Sequence, residues 1–206
     1  MKRIWDISPN VDEHSAVFPG DTMYSQRLHF SLGPECPVNV NSITLSPHTG
    51  AHADAPLHYA QTGQAIGAVD LAPYLGLCRV IHCIDCGPLV QPPHIAHALV
   101  DLPLRVLIRT SRVASQSWEA FTALAEETVS LLASLGVVLV GIDTPSVDPV
   151  TSQGLPSHQQ LLQHNLRVLE NLVLDAVDEG DYDLIALPLK LSRADASPVR
   201  AILREV

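Results

Sequence analysis

Hydrophobic positions along the chain fall into short runs, several of them continuous stretches of Val, Ile and Leu, as expected of strands buried on both faces. They predict strands over Arg3 to Ile7, Tyr24 to Leu32, Val38 to Leu45, Cys78 to Asp85, Arg105 to Arg109, Val137 to Ile142 and Tyr182 to Leu187. A helical pattern is clearest from about Trp118 to Leu135, with Ser117 placed to cap its start and Gly136 to close its end and lead into the next strand. Because early strands follow one another before this helix, the sheet should be antiparallel or mixed rather than strictly alternating with helices. The expected fold class is therefore α/β, a single domain over residues 1–206 with a mixed β-sheet and packed helices.

Ser157 and Gln160 form a capping-box pattern, so a second helix is expected to start at His158 and carry Leu161 and Leu162 inward. Glu170 comes twelve positions after His158. On an unbroken helix the two side chains would stand about 18 Å apart, too far to share one site. A reversal at Asn165 would bring them together, and Leu166, Val168 and Glu170 do alternate with Arg167 and Leu169 as in a short extended piece. The pattern leaves both arrangements open.

Composition narrows the class. The 206 residues are 47% hydrophobic, enough for one large core, and carry no repeat or low-complexity tract; Pro88, Pro92 and Pro93 mark an irregular connection. A net charge of −10 with only 12 Lys and Arg, unclustered, argues against nucleic acid or an anionic membrane as partner. Asp6 interrupts any signal-like run at the start, and apolar stretches such as Gly136 to Ile142 are far too short to span a bilayer, so a cytoplasmic protein is expected. Of Cys36, Cys78, Cys83 and Cys86, only the last two have a recognised spacing, and one such pair makes no zinc ribbon. They read as ordinary thiols.

The chemistry concentrates in Pro47-His48-Thr49-Gly50-Ala51-His52-Ala53-Asp54-Ala55-Pro56-Leu57-His58, where three imidazoles and a carboxylate share eleven positions. Pro47, Gly50 and Pro56 oppose a continuous helix there. In extended chain His52 and Asp54 point the same way, with His48 brought round by the Thr49-Gly50 turn. Small neighbours let the backbone approach an ion, and three protein ligands leave a position for water, as in a catalytic zinc site. Asp143-Thr144-Pro145-Ser146-Val147-Asp148-Pro149 follows a buried strand, where polar residues commonly line a site in α/β proteins. Asp143 and Asp148 could equally be turn residues satisfying backbone donors.

The histidine segment resembles the signature of the cyclase-type metal-dependent hydrolases, and more closely that of the bacterial kynurenine formamidases. The likeness continues through Phe18-Pro19-Gly20-Asp21-Thr22, the 141–149 segment, Leu169-Glu170-Asn171-Leu172, Gly180-Asp181-Tyr182 and the stretch from Leu184 to Leu189. The broader cyclase pattern has Thr where Ala51 stands, and the formamidase branch matches this chain there. The resemblance implies a swivelling β/β/α fold, a homodimer, and two zinc ions per subunit, with manganese or cobalt also suited to such ligands. His48, His52 and Asp54 would hold one ion, and Asp54, His158 and Glu170 the other, with Glu170 able to touch both. His58 would be the proton donor or acceptor. Phe18, which on its own would read as a core aromatic, would lie beside the substrate.

The implied reaction is hydrolysis of N-formyl-L-kynurenine to L-kynurenine and formate. An activated water attacks the formamide, and an imidazole, which exchanges protons near neutral pH, assists the departing aniline nitrogen. The competing readings are another cyclase-type amide or lactam hydrolase, isatin hydrolase-like, and a non-catalytic metal-binding regulator. A complete ligand set with a spare base in His58 speaks against the regulator.

Overall fold

A computed structural model describes residues 2–206. In chain order its strands are β1 (Ile4–Asp6), β2 (Ser25–Phe30), β3 (Val40–Thr44), β4 (His52–Asp54), β5 (Leu75–His82), β6 (Leu89–Val90), β7 (Arg105–Arg109), β8 (Ala123–Leu124), β9 (Leu139–Ile142), β10 (Arg167–Glu170), β11 (Gly180–Ile185), β12 (Ala196–Pro198) and β13 (Ile202–Glu205). The α-helices are α1 (Pro56–Tyr59), α2 (Pro92–Ile95), α3 (Glu126–Ser134) and α4 (Pro156–Gln163). One nine-stranded sheet runs β1-β13-β11-β5-β7-β9-β10-β4-β12. Its centre, β5 to β10 through β7 and β9, is parallel, and both flanks are antiparallel.

The parallel strands are the continuous apolar runs, and alternation sends their side chains to two cores. Val106, Ile108, Val140, Ile142 and Val168 enter one face with Ile81, covered by Ile95 of α2, Val129 and Leu132 of α3 and Leu161 of α4. Val80, Leu107, Leu139 and Leu169 enter the other, where they meet Tyr182, Leu184 and Leu203 of the antiparallel flank. Strands distant in the order thus share a cluster, because the sheet curls over that face. Each fully buried Ile or Leu contributes on the order of 1.5–3 kcal/mol, so these two clusters dominate folding.

The expected mixed α/β class is what forms, with local differences. The helix expected from Trp118 to Leu135 is confined to α3. Ala123 and Leu124 are instead drawn into a parallel pairing with Leu89 and Val90, and Ser117 accepts the Glu119 N–H in a local turn rather than capping a helix. Gly136, with φ +86°, closes α3 as expected. β5 ends at His82, before Asp85 takes a left-handed φ of 60°. The helix expected at His158 begins at Pro156, whose missing N–H costs nothing in a first turn, behind a left-handed Leu155. Its capping box does not form: the Ser157 hydroxyl donates to the Leu124 carbonyl, and Gln160 meets Ser130. Asn165, φ +54°, reverses the chain into β10, which decides the question the sequence left open.

Hairpin β2–β3 stands apart from the main sheet with every residue of both strands exposed. At the opposite extreme of packing, a Cβ at Gly63 would come 2.3 Å from the Pro56 carbonyl carbon and oxygen, and the adjacent Gln64 carbonyl accepts the Leu57 N–H. The Gly63 loop therefore clamps α1. Gly63→Ala should destabilise the fold by about 1–3 kcal/mol through overpacking against rigid backbone, read as a lowered midpoint in denaturant unfolding.

Candidate metal centre

Strand β4 is three residues long and wholly buried between β10 and β12. Its period of two turns His52 and Asp54 to the same face, and antiparallel pairing sets Glu170 of β10 opposite His52. The turn before β4, with Gly50 at φ +67°, brings His48 over Asp54, and α1 immediately after carries His58. From the far end of the chain, the reversal at Asn165 lets α4 deliver His158 and β10 deliver Glu170 to one point. The other four expected ligands and His58 are thus assembled around Asp54.

Within this cluster His48 Nδ1 lies 3.0 Å and His52 Nε2 3.5 Å from Asp54 Oδ1, while His158 Nε2 is 3.5 Å and His58 Nε2 4.0 Å from Oδ2. Glu170 stands 3.2 Å from His52 Nε2 and 3.6 Å from His158 Nε2, with its Oε1 also accepting the Val147 N–H. Two of the rings are oriented from behind. His52 Nδ1 donates to the Gly50 carbonyl and His158 Nδ1 to Asp148. Each therefore turns Nε2 towards the carboxylates.

That arrangement fits a cation. Both Asp54 oxygens and His158 Nε2 are buried without a hydrogen-bond partner, because the surrounding nitrogens approach within ion-pair distance but out of line for N–H donation. Unpaired buried acceptors of this kind cost several kcal/mol unless a positive charge meets them. With no metal to provide it, protons must: burial lowers the His158 imidazole, but Asp148, Asp54 and Glu170 outweigh it and raise it to about 10. His48 is likewise lowered by burial and raised further by Asp195 and Asp54, again to about 10. Burial of the Asp54 carboxyl works against its ionisation, yet the imidazoles of His158 and His48 hold it well below the usual range. Among the described residues, two groups bring their donor atoms within 4.8 Å of one another, close enough to hold an ion: His48, Asp54, His58 and His52, Asp54, Glu170. They cut across the division implied by the resemblance, with His58 standing as close as a ligand would.

A cavity of about 370 Å³ opens over this cluster. Phe18 lies at its mouth, half exposed, edge-on to Trp118 with ring centroids 5.2 Å apart. Trp118 lines the site because the residues before α3 are irregular rather than helical. Two carboxylates stand beside the site, one of them in the 143–149 segment that the sequence marked as site-lining or turn-forming. Asp148 is the turn residue envisaged, but its carboxylate takes the N–H groups of Ser157 and His158 as well as the His158 ring, capping α4 and orienting the ring together. Asp195, next to β12, had no sequence signal at all; its Oδ2 is 3.1 Å from both His48 Nε2 and His58 Nδ1. Asp143 ties the ends of two strands instead, accepting from Thr110 and Ser111 away from the cavity.

Residues 5–149 match the Cyclase family, described as "Putative cyclase". The chain belongs to this family. It is 78% identical over 204 residues to "Kynurenine formamidase" of Polaromonas naphthalenivorans, covering 99% of this chain and 92% of that one. It is 62% identical over 208 residues to the protein of the same name from Bordetella pertussis, covering 100% of both. A solved structure of a predicted metal-dependent hydrolase from Bacillus stearothermophilus superposes with a TM-score of 0.84 at 25% identity, covering 100% of both chains.

Asp148→Ala should weaken metal binding about 10–100-fold by freeing the His158 ring, and cost roughly 1–3 kcal/mol of stability through the two orphaned N–H groups of α4. Competition with a chromophoric chelator measures the first and denaturant unfolding the second.

Proposed function

We propose that this chain hydrolyses N-formyl-L-kynurenine to L-kynurenine and formate, as an arylformamidase. What carries the reading is the union of near-full-length identity to kynurenine formamidases with an acid-rich imidazole cluster under an aromatic-rimmed cavity. In this reading His48, His52 and Asp54 hold one zinc ion and Asp54, His158 and Glu170 a second. When bound, such ions supply Lewis acidity, lowering the pKa of water to about 7 and polarising a carbonyl oxygen.

The chain's own groups do the rest. Phe18 and Trp118 offer the edge and face of their rings to the substrate's aniline ring, which aligns the formyl carbon over the cluster. His58 accepts a proton as the water oxygen adds to the formyl carbon. It then delivers one to the aniline nitrogen as the C–N bond breaks and formate leaves, so the departing group is a neutral amine. The buried acidic floor formed by Asp54 and Glu170 keeps the ligand set anionic and rigid.

We place the enzyme in the cytoplasm, a setting in keeping with four unpaired cysteines; among the described residues no helix is long and apolar enough to cross a membrane. We also read it as a homodimer. The support is hairpin β2–β3, where Leu28, Phe30 and Ile43 are each more than half exposed beside Leu32 at 63%, more apolar surface than an isolated arm usually offers to water.

Optical assay of N-formylkynurenine hydrolysis, with chelator and after zinc restoration, tests the activity; loss and recovery are expected, and preference for a lactam such as isatin in the same assay would overturn the substrate assignment. His58→Ala should lower turnover by about 10²–10⁴-fold while elemental analysis finds metal content retained, whereas His48→Ala and Asp54→Ala should lose metal. Metal loss in His58→Ala would make it a ligand instead. Phe30→Asp combined with Ile43→Asp should yield a monomer in sedimentation, against a dimeric parent.

A further inference from the structure

His58 sits on a single helical turn, α1, and one third of its side chain is exposed, so nothing in its own element fixes its ring. Its fixed partner comes from 137 residues away. Asp195 precedes β12, whose Ala196 pairs with Asp54 in the sheet register, and the Asp195 carbonyl accepts the Ala55 N–H at 2.8 Å. Main-chain bonds therefore hold the Asp195 backbone beside the 54–58 segment, within reach of the His58 ring. Its Oδ2 then accepts from His58 Nδ1 and His48 Nε2, each at 3.1 Å, while the two rings lie 4.3 Å apart.

We propose that Asp195 is a positioning residue: it holds His58 as the Nδ1–H tautomer, leaving the Nε2 lone pair turned towards Asp54 and the cavity, where a proton must be taken up. A carboxylate behind an imidazole fixes tautomer and ring angle and stabilises the imidazolium formed in turnover. The inference rests on the reading of His58 as proton carrier. It goes beyond that reading by assigning the group that makes His58 competent, on a strand remote from the histidine segment in sequence.

The test is a double-mutant cycle on the metal-loaded protein. Asp195 also holds the His48 ring, so Asp195→Ala is assayed with metal in excess until occupancy matches the parent's; at that occupancy kcat should still be about 10–100-fold lower with KM changed less than about twofold. Asp195→Asn, which keeps an acceptor oxygen, should recover part of the loss. In a His58→Ala background Asp195→Ala should cost nothing further, because residues acting through one another are non-additive. Multiplicative losses in the double variant, or a parent-like rate once excess metal restores occupancy in Asp195→Ala, would overturn the proposal by assigning the carboxylate to His48 or to the fold. Long-range ¹H–¹⁵N spectra of the unsubstituted protein give a readout free of substrate: an Nδ1–H tautomer at His58 is expected, and an Nε2–H tautomer sinks the idea. If the parent protein leaves N-formylkynurenine untouched, the substrate assignment falls while the tautomer measurement still decides the role of Asp195.

Discussion

Asp54 is the constraint around which the rest is arranged. Its carboxylate is held in the interior with neither oxygen hydrogen-bonded, four imidazole nitrogens stand 3.0 to 4.0 Å from it, and a second carboxylate, Glu170, lies 3.2 Å from the His52 ring. A buried negative charge left this way would drive local unfolding unless a cation or protons compensate it. The elevated affinity of His48 and His158 for protons is the same imbalance seen from the imidazole side. Metal binding and proton binding are thus alternatives at one place, and a site built for the first must hold its ligands rigid against the second.

Rigidity comes from the sheet. β4 contributes only three residues, but its backbone is paired on both sides, with Glu170 of β10 opposite His52 and Ala196 of β12 opposite Asp54. The parallel centre, filled by Val, Ile and Leu on both faces, anchors β10 in turn. Around the histidines a second tier of acceptors fixes the rings: the Gly50 carbonyl for His52, Asp148 for His158, Asp195 for His48 and His58. Ring nitrogens pinned in this way present lone pairs in fixed directions, which is what ligation and proton transfer both require.

The local cluster from His48 to His58 was readable because its geometry is local: a two-residue period joins His52 to Asp54, and glycine and proline dictate the turns on either side. Its completion by His158 and Glu170 came from the family resemblance and not from spacing, since the eleven intervening residues fit either a helix or a reversal, and only the left-handed Asn165 selects the second. The over-long helix at Trp118 has a similar origin. Ala123 and Leu124 suit a helix, but a neighbouring strand edge offered their backbone partners and the core took their side chains.

The amino-acid order by itself determined where strands would be buried on both faces, that the sheet would not alternate strictly with helices, and which short segment carries the imidazoles, because these depend on the order of elements and on periods of two to four residues. Tertiary structure alone decided that Asp148 caps a helix while steering a histidine, that Trp118 meets Phe18, and that Asp195 reaches two rings from the other end of the chain. Those contacts join residues with no common period. Their pairing is set by strand order and register, which are properties of the packed sheet rather than of any stretch of sequence.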